Sequence, residues 1–474
     1  MAWKPIPIVD GSYADDSRSF SAQDTVNWLP VAAEQAGARS NTMLRTAPGL
    51  QEFAQIGDGP HRGARHVEGK LFIVTGQSMY QVSANGYARL LGTVPGRSRV
   101  AMTHNQIAGG NEVVVMNGSA GYIWNTLDQT FTQITDPGFK GGIACDFIGQ
   151  LVVSVEPGRR FFANSGLADA GDYNTIERYE SEASPDRLRT LIVNHLEVWL
   201  MNERTIEVFL QTTDPSLIAD HILFVRAGGT VIERGCAGTH TVCKLDNGIF
   251  WVGDDGVVYR NDGYTPIRIS TQAIEQQLGR CDLTKAWMFT WSDNGHSVVY
   301  LTCPDGRTWG YDVSSRKWHR RESYNMKRWR LNTLVQWNGG WYGGDKDGML
   351  WRLSWKYAAE GGAKMVRKRT SGVLHDHQNR VTVHSLEFVF DTGGEDTGGN
   401  DVYDIEAREY AVVTPPPLTL GGTLADGTIG VPYSSVLTPA DGVPPYGGWS
   451  ITEGALPFGL VINASTGYIT GTPA

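Results

Sequence analysis

The chain alternates short apolar runs with Gly- and Asp-rich turns, and this pattern predicts a protein built mainly from β-strands. Apolar runs such as Phe250–Val252 and Val257–Tyr259 have the length of short strands. Turn dipeptides such as Asp255–Gly256 and Asp305–Gly306 separate the runs, as they do in β-hairpins. One short helix is predicted after Ser270, over Thr271–Leu278, because Gly279 follows it as a stop signal.

A unit of strand, turn and strand recurs about seven times along the chain. The units are spaced roughly 40 to 50 residues apart, which is the length of a four-stranded propeller blade. They begin near Gly69, Asn111, Gly149, Asn194, Asn247, Gly295 and Gly339. A sheet of this size cannot bury both faces alone, so neighbouring units must pack around a common axis. The sequence therefore predicts an all-β fold, a β-propeller for which seven blades are preferred and six or eight remain possible.

Segments of different composition flank the repeats, so the chain is expected to contain four regions. Residues 1–60 are irregular and are expected to form an N-terminal arm that either supplies the strand closing the ring or reaches a neighbour. Residues 61–357 are expected to form the propeller. Residues 358–414 should be a β-rich extension, and residues 415–474, after a rigid Pro415–Pro417 spacer, a small separate module.

Composition narrows the class of protein further. The 474 residues carry a net charge of −9, which argues against binding nucleic acid through a large basic face. The five cysteines have no CxxC spacing and are expected to be ordinary thiols, so neither a metal nor another cofactor is predicted. The sequence shows no signal peptide and no run of eighteen apolar residues, and we expect synthesis and assembly in a host cytoplasm.

Several segments together resemble the packaged-DNA-stabilisation proteins of short-tailed bacteriophages, also called tail hub or nozzle proteins. Between residues 159 and 278 the resembling segments are RRFFANSG, DYNTIERYESEASPD, EVWLMNERTIEVFLQT, ERGCAGTHTV and VVYRNDGYTPIRIST. The opening DTVNWLPVAAEQ and LRTAPGL, and the later TWGYDVSSRKWHRRES and GDKDGMLWRL, are similar to the same family. The resemblance covers about residues 24–355.

The resemblance implies a structural virion protein of the tail. Such a protein would form a homo-oligomeric ring, expected to be a hexamer, beneath the portal and its adaptor protein. It would connect to tailspike, fibre or needle proteins. Packaged double-stranded DNA would be retained above its channel or ejected through it without sequence-specific binding, and neither catalysis nor membrane insertion is expected.

A propeller glycosidase or carbohydrate-binding protein, of the sialidase kind, is the alternative function. Thr302–Trp309 resembles one sialidase Asp-box but lacks the residue between Asp305 and Gly306. The simpler interpretation is a tight hairpin turn with Trp309 packed inward. His375, His377 and His384 would be a candidate metal cluster, but a polar turn before a strand is the favoured interpretation. No catalytic residue is therefore predicted.

One basic and aromatic stretch stands out on this acidic chain. Its members, which we predict to contact another protein, are Arg316, Lys317, Arg320, Arg321, Lys327, Arg328, Trp329 and Arg330. Arg and Trp are enriched at the energetic centres of protein interfaces. A solvated loop between blades and direct contact with DNA remain the other interpretations.

The last 60 residues resemble an immunoglobulin-like family. The resemblance rests on Leu456–Leu460, on the Thr466–Gly467 turn and on Gly471–Pro473. Further strands follow the last motif in such domains, so the module is expected to be an incomplete Ig-like β-sandwich. Its strands are expected around Ile429–Leu437, Gly448–Thr452, Val461–Asn463 and Tyr468–Thr470.

Overall fold

The computed structural model describes residues 8–17, 20–38, 40–105, 111–372, 419–421, 424–440, 448–451 and 454–474. The chain divides into two units, Met1–Val381 and Thr382–Ala474. The first unit contains seven sheets that follow one another around a ring, each with four antiparallel blade strands. The fold is therefore an all-β propeller with seven blades, the preferred number.

Six blades take their four strands from consecutive sequence. Blade 1 contains His61–Val67, Lys70–Thr75, Ser78–Val82 and Ala88–Thr93. Blade 2 contains Ala101–Asn105, Glu112–Met116, Gly121–Asn125 and Thr130–Gln133, and blade 3 contains Cys145–Ile148, Leu151–Val155, Phe161–Asn164 and Arg178–Glu180. Blade 4 contains Leu188–Asn194, Glu197–Asn202, Ile206–Gln211 and Phe224–Arg226, and blade 5 contains Val242–Leu245, Gly248–Val252, Val258–Asp262 and Thr265–Arg268. Blade 6 contains Trp287–Asp293, His296–Thr302, Thr308–Asp312 and Lys317–Arg321.

Blade 7 combines strands from the two ends of the propeller. Thr333–Trp337, Gly340–Gly344 and Met349–Ser354 provide three strands, and Gly49–Gln55 provides the fourth. The fourth strand runs antiparallel to the third, with Leu50 paired to Leu353. Leu50 is fully buried, so this strand contributes to the core as well as to the hydrogen-bond ladder. A strand from before blade 1 thus closes the ring, one of the two roles expected of the N-terminal arm.

The first strand of every blade lies innermost, where it contacts the first strand of the next blade, and blade 7 contacts blade 1 in the same way. Each predicted repeat begins at the turn after this inner strand. Gly69 and Gly339 occupy two of these turns with φ of 77° and 67°, a conformation that glycine adopts without strain. The predicted number of units is right, but the predicted starts fall after the inner strand that begins each blade.

Apolar side chains fill the space between neighbouring blades. Between blades 3 and 4, for example, the ring of Phe162 meets Phe209 and Phe224 edge-on, at centroid distances of 5.4 and 5.6 Å. The predicted short helix is present as Gln272–Leu278 and buries Ile274 and Leu278 between blades 5 and 6. Thr271 is its N-cap residue but its side chain makes no capping hydrogen bond. A shorter helix, Pro215–Ala219, and the 3₁₀ turn Leu283–Lys285 were not predicted.

Segments on both sides of the propeller add to blades 6 and 7. Ala22–Val26 lies beside the outer strand of blade 6 and also pairs with Tyr13–Ala14 and Lys368–Thr370. Trp28–Ala32 and Thr42–Thr46 form a separate hairpin. The short strands Ala359–Glu360 and Ala363–Lys364 extend blade 7 beyond its closing strand.

The described part of the second unit contains two small sheets. Thr419–Gly421 pairs with Thr438–Ala440, and Tyr433–Val436 and Leu460–Ile462 both pair with Tyr468–Gly471. The predicted strand at 448–452 is wrong for residues 448–451, which form none. The Pro415–Pro417 spacer and the strands expected between 381 and 413 lie outside the described residues. The Ig-like assignment stays a prediction.

Two fully buried histidines make the stability of the propeller sensitive to acid. Burial lowers the pKa of His61 to about 4 and that of His319 to about 3, so both are neutral in the folded protein. In the unfolded chain they take up protons below pH 6.5, and stability present above that pH is lost as the pH falls towards the folded pKa values.

We therefore expect the free energy of unfolding to fall by about 2 kcal/mol from these two residues between pH 6 and pH 5. Urea titrations at both pH values measure the change. His319→Gln should reduce the pH dependence, whereas His66→Gln, at an exposed position, should leave it unchanged. Equal pH dependence in all three proteins would contradict the assignment.

Candidate interaction site

The predicted basic stretch forms the outer strand of blade 6 and the link to blade 7. Lys317–Arg321 pairs antiparallel with Thr308–Asp312. Arg316 precedes this strand in a turn with φ of 56°. The stretch is therefore partly a strand and only partly a loop between blades.

The structure corrects the expectation that the whole stretch is exposed. Arg320, Arg321 and Trp329 are buried, with Arg321 and Trp329 each 1% exposed. Arg316 and Lys327 are exposed, and Lys317, Arg328 and Arg330 are half-buried. Buried side chains offer no free surface, so Arg320, Arg321 and Trp329 are not accessible to a partner in the described structure. Contact with another protein stays a prediction for the other five.

Arg320 binds the N-terminal arm to blade 6. Its guanidinium donates to Asp24 Oδ2 at 2.7 Å and to Glu322 Oε2 at 2.8 Å. Asn27 reinforces the same junction, because its backbone N–H donates to Arg320 O at 2.9 Å. Its side-chain amide also donates to Glu322 O and Val366 O at 2.8 Å each. The arm is therefore attached by charge-assisted as well as backbone hydrogen bonds.

Arg369 attaches the segment that leaves the propeller to the same arm. Its guanidinium donates to Gly11 O at 2.9 Å and to Thr25 Oγ1 and Gln23 Oε1 at 2.8 Å each. It also donates to Ile8 O at 2.5 Å. Residues before and after the propeller thus converge on the outer edge of blade 6.

Glu360 is the buried acid that faces the other half of the basic stretch. Its Oε1 lies 4.0 Å from Arg321 Nη2 and accepts a hydrogen bond from Trp329 Nε1 at 3.2 Å. Its Oε2 lies 3.8 Å from Arg330 Nε. The Arg321 guanidinium also lies over the Trp329 ring, 4.4 Å from its centroid, a cation–π geometry. These residues form an internal network at the seam of blades 6 and 7.

No local sequence pattern indicates the partners in these networks. No recognisable motif surrounds Asp24, Glu360 or Arg369 in the sequence. Asp24 is 296 positions from its partner Arg320 along the chain. Only the pairing of the flanking strands with blades 6 and 7 brings them together. Sequence patterns therefore predicted the basic residues of this stretch but not the acidic residues that pair with them.

The exposed part of the site consists of few groups. They include Arg316, Lys327 and Tyr324, which is 40% exposed. Lys364 Nζ lies 5.1 Å from the centroid of the Tyr324 ring. The hairpin of Trp28–Ala32 and Thr42–Thr46 precedes the blades in sequence and contacts the outer strand of blade 6. The described residues of its tip, within 33–41, are all exposed. This surface is suited to contact with a protein through side chains and a hairpin edge.

The Asp305–Gly306 turn fits the simpler of its two interpretations. It connects the second and third strands of blade 6, and Trp309 is 3% exposed and packs in the core between blades 5 and 6. In the described part of the chain no three His, Cys, Asp or Glu side chains group as metal ligands. His375, His377 and His384 lie outside that part.

Among the described residues, no helix is both long and apolar enough to span a bilayer. The cysteines in the structure are all free thiols, and Cys236 and Cys303 are buried.

A comparison with known families finds one match over residues 4–356, to the phage stabilisation family described as "Bacteriophage P22 Gp10, beta-propeller". No curated protein matches the chain.

Solved structures with similar folds include the computationally designed protein Ika8, at 13% identity and a TM-score of 0.38 over 64% of this chain and 99% of that one. Virginiamycin B lyase from Staphylococcus aureus has 11% identity and a TM-score of 0.45 over 64% and 98%. PorZ, of the type-IX secretion system of Porphyromonas gingivalis, has 12% identity and a TM-score of 0.38 over 69% and 39%. These likenesses are too distant to indicate what this chain does.

Proposed function

The chain belongs to the phage stabilisation family of bacteriophage P22 Gp10 β-propellers, and from that premise we propose that it is a tail subunit that helps to retain packaged DNA. The observation that carries the proposal is the extent of the match, residues 4–356. That range includes the N-terminal arm, the closing strand and all seven blades. The propeller as a whole, rather than one motif, is thus the shared feature.

The finer role that we propose is that of a hub or nozzle. The subunits would form a ring of six through head-to-tail contacts, which close only when the rotation per subunit suits the number. The ring would lie below the portal and its adaptor and would hold spikes, fibres or a needle. The exposed hairpin supports contact with a second copy, because the described residues of its tip are exposed and its two strands belong to no blade.

Passage of DNA through such a ring is favoured by the charge of the protein. Six copies would carry six times the chain's net charge of −9, and an acidic ring repels DNA phosphates. DNA would therefore slide through the opening or rest above it without being bound by sequence. We propose a structural and not a catalytic role in the virion.

Purified protein should form a closed ring with six times the 51.9 kDa mass of the chain. Native mass spectrometry and negative-stain electron microscopy measure the number of copies, and a virion reconstruction locates the ring. A monomer attached at the periphery of the virion, or saturable hydrolysis of sialosides or capsular polysaccharide by the pure protein, would contradict the proposal.

A hairpin variant tests the contact between copies. Replacing residues 33–41 by Asn-Gly should keep the pairing of Ala32 with Thr42, because two-residue turns of this type fit antiparallel strands. The variant should unfold like the unaltered protein yet assemble rings poorly. A matched change at a different exposed turn, Asn85–Gly86 in blade 1 to Asp-Gly, should alter neither property.

A further inference from the structure

Two arginines meet one tryptophan at an end of the propeller's central channel. Arg99 comes just before the inner strand of blade 2, Trp287 begins the inner strand of blade 6, and Arg328 lies in the link to blade 7. The guanidinium carbons of Arg99 and Arg328 lie 4.8 and 5.3 Å from the centroid of the Trp287 ring. Both arginines also donate to Asn332, Arg99 to its backbone oxygen at 2.8 Å and Arg328 to its Oδ1 at 3.4 Å. Two like charges are therefore held close together.

A cavity of about 170 Å³ lies beside Arg99. Its walls come from the inner strands of blades 1, 2, 6 and 7, with Arg99 as the charged residue among them. The other lining residues include Gly63, Met102, Phe289 and Thr333. The space is large enough for a small polyatomic ion and too small for a nucleic-acid strand.

Three buried arginines of the described chain lie against backbone oxygens or a carboxylate, although Nε of Arg320 and Nε and Nη1 of Arg321 make no hydrogen bond. Arg62 donates to four backbone oxygens, those of Gly76, Val94, Pro95 and Ser98. Arg320 has Asp24, and Arg321 has Glu360. These sites show how the fold normally compensates a buried guanidinium.

Arg99 and Arg328 are half-buried and differ in having no acid as a partner, although Arg328 also donates to Trp329 O at 2.8 Å. Arg99 Nε is shielded from solvent and has no hydrogen-bond partner, and neither arginine forms an ion pair within 4.0 Å among the described residues. Asp345 is the acid that faces Arg328, but its carboxylate accepts hydrogen bonds from Trp351 Nε1 at 2.9 Å and from the Asp347 backbone at 2.9 Å. Burial, and then repulsion by Arg328, lower the pKa of Arg99 to about 9, so the surroundings disfavour its positive charge.

We propose that Arg99 and Arg328 bind a small tetrahedral oxyanion, with inorganic phosphate as its simplest form, at this end of the channel. Guanidinium groups present paired N–H donors that match the oxygens of phosphate, and the charge of the anion would offset the repulsion between the two cations. The site joins blades 2, 6 and 7, so a bound anion would stabilise the ring. The inference does not depend on the proposed tail role.

The proposal is tested by comparing thermal unfolding of the protein in phosphate with thermal unfolding in chloride at the same ionic strength and pH. Phosphate should raise the melting temperature in a saturable way, as a ligand of the folded state does. Calorimetric titration gives its affinity, which Arg99→Gln and Arg328→Gln should each weaken at least tenfold. Arg97→Gln is the matched control, because Arg97 lies in the same link but is 65% exposed. It should bind phosphate like the unaltered protein.

Three results would overturn the proposal. In the first, phosphate raises the melting temperature no more than chloride does. In the second, Arg97→Gln and both site variants bind phosphate with equal affinity. In the third, duplex DNA raises the melting temperature but free phosphate does not. If Arg99→Gln does not fold, Arg328→Gln and Arg99→Lys retain the test. Lysine keeps the charge but loses the paired donors, so intermediate affinity supports the guanidinium geometry and unchanged affinity opposes it.

Discussion

A chain that begins at residue 57 should lose the closed propeller, whereas a chain that begins at residue 47 should keep it. The first truncation removes Gly49–Gln55, the fourth strand of blade 7, together with the fully buried Leu50 and Ile56. Blade 7 is then left with an unpaired edge and an open core. The loss should exceed about 5 kcal/mol, since removing even one buried leucine side chain costs several kcal/mol.

The second truncation is the control, because it removes residues 1–46 of the arm and leaves the closing strand in place. It loses Leu29, which is fully buried, and the Asp24–Arg320 ion pair, so a smaller loss is expected. Urea titration followed by tryptophan fluorescence measures both. A chain of residues 57–354 with residues 49–55 attached after a short turn should recover stability, because Ser354 pairs with Gly49. Equal stability of the two truncated chains would show that closure does not depend on this strand.

Replacement of Glu360 by alanine should destabilise the propeller by about 3 to 5 kcal/mol, the usual cost of removing one partner of a buried ion pair. Glu360 is 1% exposed and faces Arg321, which is also 1% exposed. Without the carboxylate, Trp329 Nε1 loses its acceptor and the Arg321 guanidinium, which still donates to Pro48 O, loses its nearby negative charge. Chemical denaturation measures the loss.

An exposed ion pair provides the matched control. Lys346 and Asp347 are joined at 2.6 Å but are 60% and 66% exposed, so Asp347→Ala should change stability little. The double variant Arg321→Met with Glu360→Leu should recover part of the loss, because it removes the buried charge along with its partner. If Glu360→Ala were as stable as Asp347→Ala, the network would not stabilise the seam.

The basic stretch shows where sequence reasoning about a site reaches its limit. Interleaved Arg and Trp are enriched at protein interfaces, and they are equally suited to internal cation–π and ion-pair networks. Which of the two applies depends on whether other segments cover the stretch. Here Ala22–Val26 and Ala359–Glu360 do so, and they come from the two sides of the propeller. The sequence around Arg99 likewise does not indicate a binding site, because Trp287, which it contacts in the fold, is 188 positions away along the chain.

The sequence alone determined the β class, the propeller and the preferred number of blades. The physical reason is that turns such as those at Gly69 and Gly339 are local, and a tight turn between two apolar strands requires its residues wherever it lies in the fold. Tertiary structure alone decided which strand begins each blade, which strand closes the ring and which cations are buried. These outcomes depend on pairings between distant segments, such as Gly49–Gln55 with Met349–Ser354, and no short stretch of sequence encodes its remote partner.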